Sequence, residues 1–412
     1  MQRSRWAIAV AGTAMQVALG AVYAWSVFRK PLAAELGASV SAVNLTFTIT
    51  IAMLGAGAFV GGVILPRVGP RAVGILAGVL YGAGTFFSGY AGGDVRLLYV
   101  TYGVIAGFGI GLGYIVPIAT LVKWFPDKRG AITGIAVAGF GSGALLFGPI
   151  SRALISACGP FQALQFLGLG FYTIVIAAAL VLRDPPGARR AARTVDVITR
   201  VSIELGAALR TWQWYALWCL LFLNVTAGIS IIAEAAPMAQ EIGGASEKQA
   251  VALVGTIAIF NGLGRLAWAA VSDLIGRRAV FTAMFVVQAV VFYLIAGAHT
   301  YQSLLAMACL VLFCYGGGFG TMPAFAADHF GSRNVGKVYG LMLTAWGAGA
   351  AVGPMILSKV RDATGSYSVG LHAIAAIMLL ASVLPLAVPN PRPRLVPAAS
   401  RPDSRAGRGI RA

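Results

Sequence analysis

Ala269-Ala270-Val271-Ser272-Asp273-Leu274-Ile275-Gly276-Arg277-Arg278 is a short polar break between two long apolar runs. Gly61-Gly62-Val63-Ile64-Leu65-Pro66-Arg67-Val68-Gly69-Pro70-Arg71 is a second break of the same shape, 207 positions earlier. Moving outward, Trp124-Phe125-Pro126-Asp127-Lys128-Arg129-Gly130 is answered by His329-Phe330-Gly331-Ser332-Arg333, and Gly148-Pro149 by Gly353-Pro354, each 205 positions on. Three independent pairs at one offset, half the chain, argue for two copies of one folding unit. Parallel repeats of this kind characterise membrane carriers whose halves rock about a central site.

Composition agrees. The 412 residues are 58% hydrophobic and 11% charged, against about a quarter charged in soluble domains. A mean hydropathy of +0.82 leaves too little polar surface for a water-soluble body, and the apolar content excludes disorder. The 53 glycines suit close helix packing in lipid. A span needs about 20 mostly apolar residues. Twelve segments qualify: 6–28, 42–65, 72–90, 96–122, 129–151, 161–183, 213–236, 248–272, 278–297, 302–325, 336–358 and 366–388. The first is too long for a signal-peptide core and reads as a retained span. The expected fold is an all-α membrane protein, with twelve transmembrane helices in two pseudo-symmetric six-helix bundles. Residues 1–183 form the first bundle, 184–212 a basic linker, 213–388 the second bundle, and 389–412 a polar tail read as disordered.

Charge sets the orientation. With both termini cytoplasmic, the inner segments hold 23 of the 31 Lys and Arg residues and the outer ones seven, as the positive-inside rule requires. The expected location is the plasma membrane. The net charge of +18 then reflects contact with anionic lipid headgroups, not nucleic acid, because the basic residues share no soluble face. Cys158, Cys219, Cys309 and Cys314 lie in or beside apolar segments without metal-ligand or redox spacing, and His299, His329 and His372 share no ligand spacing either. No cofactor is expected. Gly139-x-Gly-x-x-Ala144 matches a dinucleotide fingerprint in letters only, since no strand precedes it. The absence of a Walker lysine loop argues against ATP drive.

The thirty-first basic residue is Arg265, inside the eighth span and about 12 Å along the helix from Asp273. A charge at that depth costs roughly 2.5–3.5 kcal/mol and by default marks a pathway or ion site. A guanidinium stays protonated and grips a carboxylate with two parallel hydrogen bonds, so the natural partner is a small carboxylate anion. The alternatives are a structural pair with an acid, of which Glu234 and Asp328 are the nearest candidates, or snorkelling to the cytoplasmic face. Asn261, one turn away on the same face, either orients the guanidinium, bonds the solute or makes an interhelical packing bond. Asp273 with Arg277 and Arg278 is expected to clamp the two halves as a gate, the alternative being ordinary loop charge. Pro66 stands where the first-half acid would be, making the gate asymmetric.

The twelve spans and the G-x-x-x-D-x-x-G-R-R-like loop resemble the major facilitator superfamily. Within it, Tyr23-Ala24-Trp25-Ser26, Trp124 to Gly130, Asn261-Gly262-Leu263-Gly264-Arg265 and Ser272 to Arg277 resemble the oxalate/formate antiporter family, which is related to monocarboxylate (lactate) transporters. The resemblance covers nearly the whole chain excluding the tail, and it implies the major facilitator fold. It implies that Tyr23, Tyr114, Tyr315 and Phe319 line the cavity, although aromatics near span ends also serve as interfacial anchors. Gln16 joins them at lower weight. Oxalate carriers of the family place a Lys seven residues after the Tyr-Gly pair of the eleventh span; here Tyr339-Gly340 is followed by Trp346. With one fixed cation in place of two, a monoanion is favoured over oxalate, because an unpaired buried charge is expensive.

The expected function is secondary active transport of small monocarboxylates (lactate, pyruvate or formate-like) by alternating access. Proton-coupled symport is the first coupling scheme, and oxalate/formate-type anion exchange the alternative. Asn261 stands where monocarboxylate carriers commonly have a proton-carrying Asp, which pulls toward exchange. A non-transporting membrane sensor of organic acids is the reading from a different class. A membrane enzyme would need a nucleophile–base pair or metal cluster in the spans; a sugar carrier should show several acids and amides there. Each chain is expected to hold a complete path and to work as a monomer.

Overall fold

The computed structural model describes residues 2–186, 203–332 and 334–389. Most of the predicted linker, with Arg189, Arg190 and Arg193, the tail beyond Pro389, and Arg333 lie outside the described residues. Within them the chain is helical, with no strand. Eleven continuous helices are long and apolar enough to cross a membrane. One of these, Arg129–Val181, is two spans in sequence: Gly159 takes φ 81°, ψ 165° inside it, a left-handed conformation that glycine adopts without a Cβ penalty. Pro160 follows and starts the next helix with its fixed φ. Counting both gives twelve spans, and the expected connection at 152–160 shrinks to one residue.

In order, spans one to four are Arg5–Leu36, Leu45–Val68, Pro70–Ser88 and Val95–Trp124; five and six are the parts of Arg129–Val181 before and after Gly159. Spans seven to twelve are Trp212–Ala235, Ala252–Ile275, Arg277–Ile295, Tyr301–Phe330, Val335–Thr364 and Ser368–Ala387. The two breaks that set the repeat adopt one geometry. Gly69 (φ 87°, ψ 165°) joins spans two and three, and Gly276 (φ 90°, ψ 154°) joins eight and nine. Each is at once the C-cap of one helix and the N-cap of the next. Helix runs through Pro149 and Pro354.

Glycine lets the spans approach to backbone contact. A Cβ on Gly20 (span one) would fall 1.9 Å from the Phe140 carbonyl oxygen (span five), and one on Gly264 (span eight) 1.9 Å from that of Phe313 (span ten). With no hydrophobic drive between helices in lipid, such close packing supplies the association. Just beyond the first crossing, Ala21–Ala24 tightens into a 3-10 turn, which carries Tyr23.

The halves meet along two seams. In the first, span five meets span eight: a Cβ on Gly130 would lie 2.3 Å from the Ala269 carbonyl oxygen, and one on Gly134 2.7 Å from that of Arg265. In the second, span two meets span eleven: a Cβ on Gly62 would lie 2.0 Å from the Gly336 oxygen, and one on Gly340 2.6 Å from that of Ala58. Both seams start at the end of the barrel that carries the 68–70 and 275–277 breaks, hereafter the basic end, and reach its middle. Farther along the same helix faces, Gly148, Gly255, Gly262 and Gly347 have nothing within 4 Å of an added Cβ. Leu145 and Ile259 there are 47% and 45% exposed. The molecule is closed at the basic end and parted at the opposite end.

Candidate functional site

The innermost point of the closed part is Arg265. Its side chain is 1% exposed, and it is the one charged residue among the buried set of the described residues. Nε donates to Asn261 Oδ1 at 3.3 Å, one turn back on the same helix, and Nη1 donates to the main-chain carbonyl of Val137 in span five at 2.9 Å. Nη2 has no hydrogen-bond partner. The Phe319 ring centroid lies 5.3 Å from the guanidinium carbon, within the range of cation–π attraction. A Cβ on Gly141 would fall 3.2 Å from Nε, so the guanidinium packs against bare backbone there.

Neither candidate acid reaches Arg265. Glu234 accepts from the Tyr367 hydroxyl at 2.8 Å; burial first, and then this bond, pushes the Tyr367 phenol above its ordinary range, so it remains a donor. Asp328 is held by Arg129 and Arg277, each at 3.1 Å. Among the described residues no acid forms an ion pair with Arg265. A buried cation of this kind is costly unless a counter-charge arrives.

Trp346 is the hub of an aromatic cage beside this group. Its ring centroid lies 4.9 Å from Phe319 of its own half, and 6.3, 6.5 and 6.4 Å from Tyr23, Tyr114 and Phe140 of the other half. Tyr315 meets Phe319 edge-on at 5.3 Å. The Tyr23 hydroxyl is near enough to the Arg265 guanidinium to interact with it both by charge and by polar contact. The buried hydroxyls of Tyr114 and Tyr339 lie near one another, outside good hydrogen-bond geometry. The fold thus gathers Arg265, Asn261, Tyr23, Tyr114, Tyr315, Phe319 and Trp346 at one place. It adds three features that sequence reasoning missed: Phe140, the Tyr339 hydroxyl and the Val137 carbonyl. The cage offers several hydrogen-bond donors around one fixed cation, an arrangement suited to an anion.

At the basic end a second cluster joins the halves. Asp273 accepts from the backbone N–H groups of Gly130 (3.0 Å) and Ala131 (2.8 Å), at the start of span five, and pairs with Arg277 at 2.6 Å. The carboxylate therefore meets a helix N-terminus, where orphan N–H groups and the macrodipole favour negative charge. Arg277 also reaches Asp328, and Asp328 reaches Arg129 of the first half. Arg278 does not join the cluster, a correction to the expected gate. It donates to the carbonyls of Pro385 and Leu386 at the end of span twelve, because consecutive residues of one helix point about 100° apart around its axis. In the first half, where Pro66 replaces the acid, the seam rests on the Gly62–Gly336 backbone contact instead.

Asp273→Asn is expected to loosen the basic end. One amide oxygen cannot replace two carboxylate oxygens, and the new N–H group would face the donors of Ala131 or Arg277. Spin labels at Arg71 and Leu274, exposed at this end (Leu274 by 85%), should show the ratio of long to short distances rising about ten-fold, the value of roughly one charge-assisted bond.

Comparison with known proteins agrees with this architecture. The family model described as Major Facilitator Superfamily matches residues 7–241 and 217–411. The chain is 29% identical over 389 residues to the oxalate:formate antiporter of Oxalobacter formigenes, covering 93% of this chain and 92% of that protein. It is 26% identical to human monocarboxylate transporter 11, covering 85% and 75%. A crystal structure of a double tryptophan mutant of XylE shares the fold, with a TM-score of 0.76 at 15% identity over 95% of this chain and 97% of that one. With two repeated six-span halves and a family model matched across both, the chain belongs to the major facilitator superfamily of membrane transporters.

Proposed function

We propose that the protein is a secondary transporter of small monocarboxylates. Its halves, 1–183 and 213–388, would alternate access to the cage from the two sides of the plasma membrane, both termini lying in the cytoplasm. The observation that carries this reading is the unpartnered Nη2 of Arg265, buried beside Trp346. A carboxylate supplies the missing acceptor and the missing negative charge together. Trp346 leaves no second cation in the cage, so a monoanion such as lactate, pyruvate or formate completes the charge balance. The relatives named above, an oxalate:formate antiporter and a monocarboxylate transporter, support small organic anions as the class.

Proton-coupled symport is the preferred coupling. Anion exchange is the second reading, and a specific observation favours it: Arg265 Nη1 donates to the Val137 carbonyl across the seam, a bond between the halves that an arriving anion would compete for. Two tests separate these readings. In proteoliposomes, a panel of mono- and dicarboxylates competing with radiolabelled lactate should rank monocarboxylates above oxalate; no competition from any carboxylate overturns the proposal. With a pH indicator inside, symport predicts acidification on lactate uptake into empty vesicles, whereas exchange predicts uptake only when substrate is preloaded. Ligand binding without any flux would favour a sensor.

A further inference from the structure

In each half a buried amide of the first span, which the transport reading leaves without a task, reaches across to the fourth. Gln16 in span one is fully buried, and its Nε2 donates to the main-chain carbonyl of Tyr114 in span four at 3.2 Å. Asn224 in span seven is fully buried, and its Nδ2 donates to the main-chain carbonyl of Tyr315 in span ten at 2.9 Å. Spans one and seven are counterparts in the repeat, as are four and ten. The same bond is made twice.

The two bonds sit at different registers in their halves. The amides are 208 positions apart and the tyrosines 201, on either side of the repeat offsets of 205 and 207. The first and fourth spans of each half run antiparallel. A longer offset in one and a shorter offset in the other therefore shift the second-half pair toward the same end, away from the basic end, the tyrosine by about one helical turn or more and the amide by less. Tyr315 consequently stands nearer the open side than Tyr114. The two phenols are presented at staggered heights.

A buried amide is costly unless satisfied, and a leucine would fill either site without that cost. Gln16 even leaves Oε1 without a partner; Asn224 Oδ1 accepts from Gln288 Nε2 at 3.2 Å. A Cβ on Gly318 would fall 2.1 Å from Asn224 Nδ2, so span ten is cut back where the amide reaches it. Side-chain amides can join membrane helices anywhere along their length. Both of these land on the carbonyl of the residue whose ring faces the cage.

We infer that Gln16 and Asn224 are positioning residues of the transport site, each fixing the height and rotation of the fourth-span tyrosine of its half. The inference rests on the carboxylate-transport reading. Its test is a set of double-mutant cycles in the full-length protein, reading half-saturation concentration and maximal rate for labelled lactate in proteoliposomes. Gln16→Leu and Asn224→Leu should each raise half-saturation about ten-fold with maximal rate within about two-fold. In a Tyr114→Phe background Gln16→Leu should add less than about two-fold, and Asn224→Leu likewise in Tyr315→Phe, because the phenol to be placed is gone; crossed pairs should multiply. Gln16→Met and Asn224→Ala repeat the cycles if a leucine variant does not purify as a single species. Effects that multiply within a half, or that fall on maximal rate alone, overturn the positioning role. A wild-type protein that takes up no carboxylate overturns the transport reading and this inference with it.

Discussion

Arg265→Lys lowers lactate uptake, read as maximal rate over half-saturation concentration, by about a hundred-fold. The guanidinium divides its work among three nitrogens: Nε to Asn261, Nη1 to Val137, and Nη2 to no acceptor in hydrogen-bond geometry among the described residues. An ammonium is a single point with three donors. It can hold the Asn261 and Val137 acceptors or meet a carboxylate, but it lacks the planar edge that does both. Two charge-assisted hydrogen bonds, each about 1.5–3 kcal/mol, are forfeited in the bound state, and 1.4 kcal/mol is a factor of ten. Surface expression and melting temperature should stay close to wild type, because a lysine stem fills most of the same channel. Wild-type uptake by this variant removes Arg265 from the site.

The second large effect is a change of selectivity. Trp346→Lys should confer oxalate binding, seen as an inhibitory concentration against lactate uptake at least about ten-fold lower than in wild type. In the wild-type cage a second carboxylate would lie against the indole, among Tyr23, Tyr114, Phe140 and Phe319, desolvated and without a counter-ion. An ammonium in its place supplies one. Lactate transport should weaken in the same variant, since the indole that walls the cage is lost. An unchanged ranking of oxalate against lactate would show that Trp346 does not set the charge of the solute.

Much of this was legible before any coordinates. The 207-residue offset between the two loop breaks pointed to a repeated unit, and in the structure Gly69 and Gly276 take one conformation, suited to a residue free of a Cβ. Arg265 stood out as a lone deep cation, and the family resemblance drew the aromatic residues toward it. Other features were hidden for physical reasons. Phe140 lies between two glycines in an apolar span, where nothing in the pattern separates a cage wall from a lipid-facing ring. Whether Arg265 met an acid depended on where Glu234 and Asp328 were engaged, and that is set by Tyr367, Arg129 and Arg277 from distant segments. Arg277 and Arg278 read alike in sequence, yet one crosses toward Asp328 and the other caps the end of span twelve. The break between spans five and six also looked longer than it is, because Arg152 made the segment after Ser151 read as a loop, whereas helix continues to Gly159.

The central claim is that a buried, uncompensated guanidinium selects its solute by charge. The most direct measurement is displacement of radiolabelled lactate from the purified transporter by lactate and by lactamide, which has nearly the same shape and no charge. Displacement by unlabelled lactate alone, with lactamide inert up to a hundred-fold excess or about 2.7 kcal/mol, is the predicted result. Equal displacement by the two compounds would contradict it.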